Sequence, residues 1–183
     1  MSDTLAPGFL IAVPQMMEPE FKQSVVFLLE RNDEGAMGVV VNRESPILLS
    51  DLCKDHQISY SGDGGKHVRR GGPVAPEQGL VLYGSEHDDP EGRKICDGLH
   101  VSASRGTLGR LCDLQDGRFH CYSGYAGWGP GQLEREIEEG AWVHAPADPH
   151  SVFDIEPEKM WGDVLRNQGI EPGALVFGGS GEA

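Results

Sequence analysis

The sequence predicts an α+β fold: one domain with a mixed, largely antiparallel sheet and three or four short helices packed against it. Two apolar runs near the start, "SVVFLLE" (Ser24–Glu30) and "AMGVVVN" (Ala36–Asn42), are joined by the five-residue polar link "RNDEG". A link that short makes an antiparallel hairpin. Later strand-like runs come in pairs with short helical stretches between them, rather than in regular βαβ alternation. The 26 glycines and 12 prolines among 183 residues keep every element short and separated by turns.

The first strand is "FLIAV" (Phe9–Val13), set between Pro7-Gly8 and Pro14. "SVVFLLE" is apolar without alternation and rich in β-branched residues, the pattern of a strand buried on both faces. "PILLSDLCKD" reads as a brief helix with Ser50 as its N-cap. From Gln57 to Gly72 the chain is polar and glycine-rich, and its basic spot "KHVRRGG" (Lys66, His67, Arg69, Arg70) is expected to be a solvated loop. "GGPV" (Gly71–Val74) closes that loop before the strand "GLVLYGS" (Gly79–Ser85).

"EHDDPEGRK" reads as a turn and "GLHVSAS" as a strand. "SRGTLGRLCDL" is a weak helix, because Gly106 and Gly109 each cost it about 1 kcal/mol against alanine. "RFHCYSGYAGW" continues the sheet, "PGQLEREIEEG" is a helix and "AWVHAP" a strand. In "PEKMWGDVLRNQG", Pro157 suits a first turn and Met160, Trp161, Val164 and Leu165 form one apolar stripe of a last helix. A single domain is expected over residues 1–177, with a loose tail at 178–183.

The formal net charge of −14 opposes contact with a phosphate backbone, so direct nucleic-acid binding is not expected. Cys53, Cys96, Cys112 and Cys121 are widely spaced without a C-x-x-C, which reads as reduced thiols in the cytoplasm. No apolar stretch approaches the ~18 residues that span a bilayer.

"SGYAGWGPGQLEREIEEGAW" (Ser123–Trp142) is the most specialised stretch. As a phosphate cradle it fails: Gly131 is followed by Gln132 and Leu133 where a Walker loop has lysine and a hydroxyl, and Gln132 stands where a dinucleotide fingerprint has glycine. Glu134, Glu136, Glu138 and Glu139 would also repel an arriving phosphate. A helix start explains the pattern better, with Gly129 as N-cap, Pro130 at the first position and Gln132 reaching back as a capping partner. Leu133 and Ile137 then face the core.

Tyr125 and Trp128 are either lids over a sheet end, the commoner arrangement, or the floor of a binding groove. Glu134 and Glu138 share a helical face, as a solvated surface or as paired carboxylates. No metal-ligand spacing is present: "EHDDPE" and "HC" (His120-Cys121) lack zinc geometry, and on a strand the last two point to opposite faces. No G-x-S-x-G elbow supports a nucleophilic triad; "GGSGE" near the end is the nearest string. No cofactor motif and no catalytic set emerges.

Taken together, "GFLIAVPQM", "FKQSVVFLLERNDEGAMGVVVNR", "GGPV" followed by "GLVLYGS", and "GYAGWGPGQLEREIEEGAW" resemble the YqgE/AlgH family, in order and over nearly the whole chain. The resemblance implies an α+β fold without a helix-turn-helix in a bacterial cytosolic protein. Some members carry the label of transcriptional regulator. The expected role is a non-catalytic binding or regulatory protein that takes a protein partner or a small ligand where "GGPV" and "GYAGWGPGQLE" meet, through Gly72, Pro73, Tyr125, Trp128, Gln132 and Glu134. The alternative is an enzyme using the same cleft, with Glu134 or His120 as acid/base.

Overall fold

The computed structural model describes residues 5–115 and 117–173. Within them the order is β1 (Gly8–Ala12), β2 (Val25–Asn32), β3 (Gly35–Val40), β4 (Glu44–Leu48), α1 (Leu49–Asp55), β5 (His67–Arg70), β6 (Val74–Tyr83), β7 (Arg93–Cys96) and β8 (Leu99–Ser102). There follow α2 (Arg105–Cys112), β9 (Phe119–Trp128), α3 (Gln132–Glu138), β10 (Trp142–Ala145), α4 (Pro149–Asp154) and α5 (Pro157–Asn167). The fold is α+β. The strands run β10-β1-β2-β3-β9-β6-β8-β7, with β4 paired to β5 and β5 to β9. Among the described pairs only β5 with β9 is parallel.

Alternation along the strands sorts side chains into three apolar clusters. Phe9, Ile11, Val25, Phe27, Val39, Leu82 and Tyr122 join Val152 of α4 and Met160, Val164 and Leu165 of α5. On the opposite face, Leu10, Val26, Leu28, Val40, Ala126 and Trp128 pack with Leu133 and Ile137 of α3. Val81, Tyr83, Phe119 and Cys121 pack with Leu49 and Cys53 of α1 and Leu111 and Cys112 of α2. The unbroken apolar runs of β1 and β2 are therefore buried on both faces, as their composition demanded.

Several expectations need correction. The first hairpin turns more tightly, because Arg31 and Asn32 still pair with Ala36 and Gly35, which leaves Asp33-Glu34 as the link. Ser50 does not cap α1: the helix starts at Leu49, whose buried side chain sets its entry, and Leu48 takes the cap position with no side-chain hydrogen bond. "KHVRRGG" is not a solvated loop, since β5 runs through it and Val68 and Arg69 are buried. The Arg69 guanidinium is held inside by donating to the Val41 carbonyl at 3.0 Å. Helix α4 brings the described helices to five, with Pro149 in its first turn and Asp148 accepting from the Ser151 amide at 2.7 Å. Strands β4 and β7 were also hidden by their polar composition. The 178–183 tail and "GGSGE" lie outside the described residues.

The "EHDDPEGRK" turn is tied to α2 by Asp89, which is buried and accepts from Thr107 at 2.9 Å and from Arg110 Nε at 2.6 Å. The Arg110 guanidinium, with help from the Glu91 amide and Thr107, holds the Asp89 carboxyl well below the usual carboxylate range. A depressed folded-state value stabilises the protein above the unfolded value of about 4 and is lost as pH falls below it. Asp89→Asn should therefore cost about 2 kcal/mol at pH 7. In thermal unfolding the gap from wild type should shrink between about pH 4 and pH 2; a gap constant with pH would contradict the role assigned to the charge.

Candidate functional site

The residues singled out from sequence divide into a chain crossing and a helix anchor. Strand β5 pairs with one edge of β9 (Arg69 opposite Tyr122) and β6 with the other (Leu80 opposite Tyr122). The chain between them, Gly71-Gly72-Pro73, must therefore cross over β9 at Gly124-Tyr125. The Gly71 amide donates to the Ser123 carbonyl at 2.7 Å, and Gly71 accepts from the Val40 amide at 2.8 Å.

At this crossing backbone lies directly on backbone. A Cβ on Gly72 would sit 2.2 Å from the Tyr125 carbonyl, and one on Gly124 would sit 2.3 Å from the Gly72 oxygen. "GGPV" and "GYAG" do meet, but as a packed crossover. Pro73 is exposed, and Tyr125 is half-buried opposite Val74.

Trp128 belongs to the core. Its side chain is 6% exposed, stacks on Phe21 at 6.2 Å and meets Trp142 edge-on at 6.1 Å. Both indole N–H groups donate to the same Glu136 oxygen, each at 3.0 Å, while Gln132 Nε2 donates to the other oxygen at 2.9 Å. Gln132 also accepts from the Gly129 amide at 2.9 Å, the reach-back expected of it. The helix itself begins two residues later than expected, behind Gly131 in the left-handed region, so Pro130 lies outside it.

Glu134 pairs with Arg31 Nε at 2.5 Å, and its own backbone N–H together with Arg31 lowers its pKa. It therefore stays ionised at neutral pH and cannot serve as a general acid. Glu138 is exposed. Neither cleft described below is lined by any of these six residues.

The first cleft, about 390 Å³, opens between α1, α2 and the strands β6 and β9. Leu52, Ile58, Val68, Leu80 and Leu108 line it, and four of these are only half-buried because the cleft exposes them. The exposed His56, Gln78 and Arg105 lie at its mouth, with the Arg105 guanidinium donating to the His56 carbonyl. Glu77 is the single carboxylate among the described lining residues. At the back, burial pushes the Cys121 thiol up to about 12, so it stays protonated. Gly79 and Ser123, paired across β6 and β9, bring this cleft to within two residues of Tyr125 along β9.

The second cleft, about 380 Å³, is polar and is lined by Lys66, Glu86, Arg118, His120, Phe153 and Asp154. Arg118 pairs with Asp154 at 2.8 Å. The His120 ring stacks on Phe153 at 5.9 Å, and burial, with Arg69 and Lys66 nearby, keeps it neutral. Its neighbour Cys121 packs into the cluster on the other face, so the two residues of "HC" diverge. Sequence reasoning missed Lys66 as a site residue because the run around it offers one apolar residue, Val68, and gives no strand period.

The profile of the AlgH-like family matches residues 9–173. A UPF0301 protein of Myxococcus xanthus is 41% identical, over 95% of this chain and 96% of its own. One from Magnetococcus marinus is 36% identical, over 98% and 97%. The solution structure of the AlgH protein from Pseudomonas aeruginosa superposes with a TM-score of 0.76 at 33% identity, covering 96% of this chain and 95% of that one. A crystal structure of a Corynebacterium diphtheriae protein gives a TM-score of 0.74 at 25% identity, covering 88% and 85%. The family match over nearly the whole described chain and the shared α+β architecture make this protein a member of the AlgH-like family.

Proposed function

We propose that this protein is a non-catalytic, cytoplasmic binding protein that acts through a small ligand held in the apolar cleft between α1 and α2. The observation that carries this reading is the cleft itself. A concave, mostly apolar space of about 390 Å³ falls in the range of small-molecule sites, and its polar groups gather at the mouth. The fitting ligand has an apolar body and an anionic end directed at Arg105 and His56. The protonated Cys121 at its back supplies neither nucleophile nor base, which favours binding over turnover. Arg31, Arg110 and Arg118 are each committed to carboxylates and the net charge is −14, so regulation by direct DNA contact is disfavoured.

The probe is 1-anilinonaphthalene-8-sulfonate, which has the required apolar body and anionic group. Wild type should bind it saturably, with decanoate displacing it. Leu108→Trp, which fills the cleft from α2, should weaken binding at least tenfold, and Arg105→Ala severalfold. Equal affinity in wild type and Leu108→Trp would remove the cleft as the site.

A further inference from the structure

Lys66 stands apart from the other four lysines. Lys22, Lys54, Lys94 and Lys159 are exposed, whereas Lys66 is half-buried at the entry to β5 and lines the polar cleft. Its Nζ donates to the Phe119 carbonyl at 2.5 Å and lies 3.8 Å from the centre of the Phe119 ring. Among the described residues no carboxylate comes within ion-pair distance of it, and the nearby Arg69 repels its charge. An amine removed from water, beside another cation and without a counter-ion, is the arrangement that turns a lysine into a nucleophile.

We propose that Lys66 is a reversible covalent binding site for small aldehydes and ketones, admitted through the cleft formed by β9, α4 and the turn that leads into β5. The space of about 380 Å³, with Phe119 and Phe153 in its lining, accommodates a carbonyl compound of a few carbons. The lone pair of the neutral amine adds to the carbonyl carbon and the C=O π pair moves to oxygen, which takes up a proton. The resulting carbinolamine then expels that oxygen as water. Neutral amine, carbonyl and one proton taken up from solvent thus become iminium and water, without an oxidant or reductant.

The iminium keeps one N–H for the Phe119 carbonyl, and its charge stays over the Phe119 ring, so the contacts that hold the ammonium also hold the adduct. His120 lines the same cleft. Its Nδ1 is buried without a partner and its ring stays neutral, so water in the open cleft takes the proton from the adding amine and protonates the departing oxygen.

The groups facing Lys66 are Arg69 on the strand that follows it, Asp63 before it, Cys112 and Cys121 behind it, and Glu86, Arg118, His120 and Asp154 around the cleft. Burial first, and Arg69 second, lower its pKa from 10.5 to about 8. At pH 7 roughly a tenth of Lys66 is then free amine, about 300-fold more than for an unperturbed lysine.

The test treats wild-type protein with limiting propanal and cyanoborohydride at pH 7, followed by peptide mapping. Lys66 should carry at least about tenfold more propyl label than any other lysine, the lower basicity offsetting part of the gain in free amine. Its labelling rate should rise with pH and level off above about pH 8. Lys66→Arg, checked for wild-type thermal unfolding, should lose that labelled peptide alone. Label spread evenly over Lys22, Lys54, Lys94 and Lys159 with Lys66 no higher, or a Lys66 rate still climbing at pH 10, overturns the proposal. This outcome is independent of dye binding in the apolar cleft, which shares no lining residue with this one.

Discussion

Gly72→Ala is expected to leave little folded protein. Gly72 has φ +153°, a conformation L side chains rarely adopt, and an added Cβ would fall 2.2 Å from both the carbon and the oxygen of the Tyr125 carbonyl. These are backbone atoms, fixed by pairing of β9 with β3, β5 and β6, so no side-chain rotation relieves the overlap. The cost should exceed about 4 kcal/mol, beyond ordinary point mutations. The control is Gly109→Ala in α2, where nothing lies within 4 Å of the added Cβ. That change should stabilise the helix by up to about 1 kcal/mol. Circular dichroism and thermal unfolding of both variants separate the two sites. A Gly72→Ala protein that melts with wild type would mean that the crossover is not as close as described.

Trp128→Ala should be the next most damaging change, at about 3–5 kcal/mol. It removes a buried indole from between Phe21 and Trp142 and takes one of three N–H donors from Glu136. In a domain of this size that lowers the melting temperature by roughly 10 °C. Trp128→Phe keeps a ring in place and leaves Glu136 its bonds to Trp142 and Gln132, so it should cost about 1–2 kcal/mol. A loss below about 1 kcal/mol for Trp128→Ala, measured by urea unfolding, would contradict its place in the core and return it to the surface as a ligand contact.

Both variants bear on why the most distinctive blocks of the sequence are so. "GGPV" and "GYAGWGPGQLE" read as a meeting point, and they do meet. What brings them together is topology: a chain that pairs with one edge of β9 and then with the other has to pass over it, and only residues without side chains allow the approach. Glycine pairs far apart in sequence announce close backbone contact, yet the same letters serve a ligand loop, a turn or a crossing. Sequence reading had no means of choosing.

Elements that bury an apolar face were legible. β1, β2, β3 and α5 carry continuous or periodic apolar residues because each contributes to a core cluster. β4, β5 and β7 were not, because polar side chains line their exposed or edge positions and backbone pairing with neighbours holds them in place. Arg69 shows the limit most directly: an arginine counts as surface in any hydropathy pattern until distant carbonyls, here Val41, are seen to receive it.

By itself, then, the sequence determined the α+β class, the two-sided burial of the first hairpin, the absence of standard phosphate-binding motifs and the family. These follow from local composition, period and order. The tertiary structure alone decided that Trp128 packs inside, that Glu134 answers Arg31, and that clefts open beside Leu108 and beside Lys66. A cleft is the space left between elements, and it belongs to no single segment that a pattern can mark.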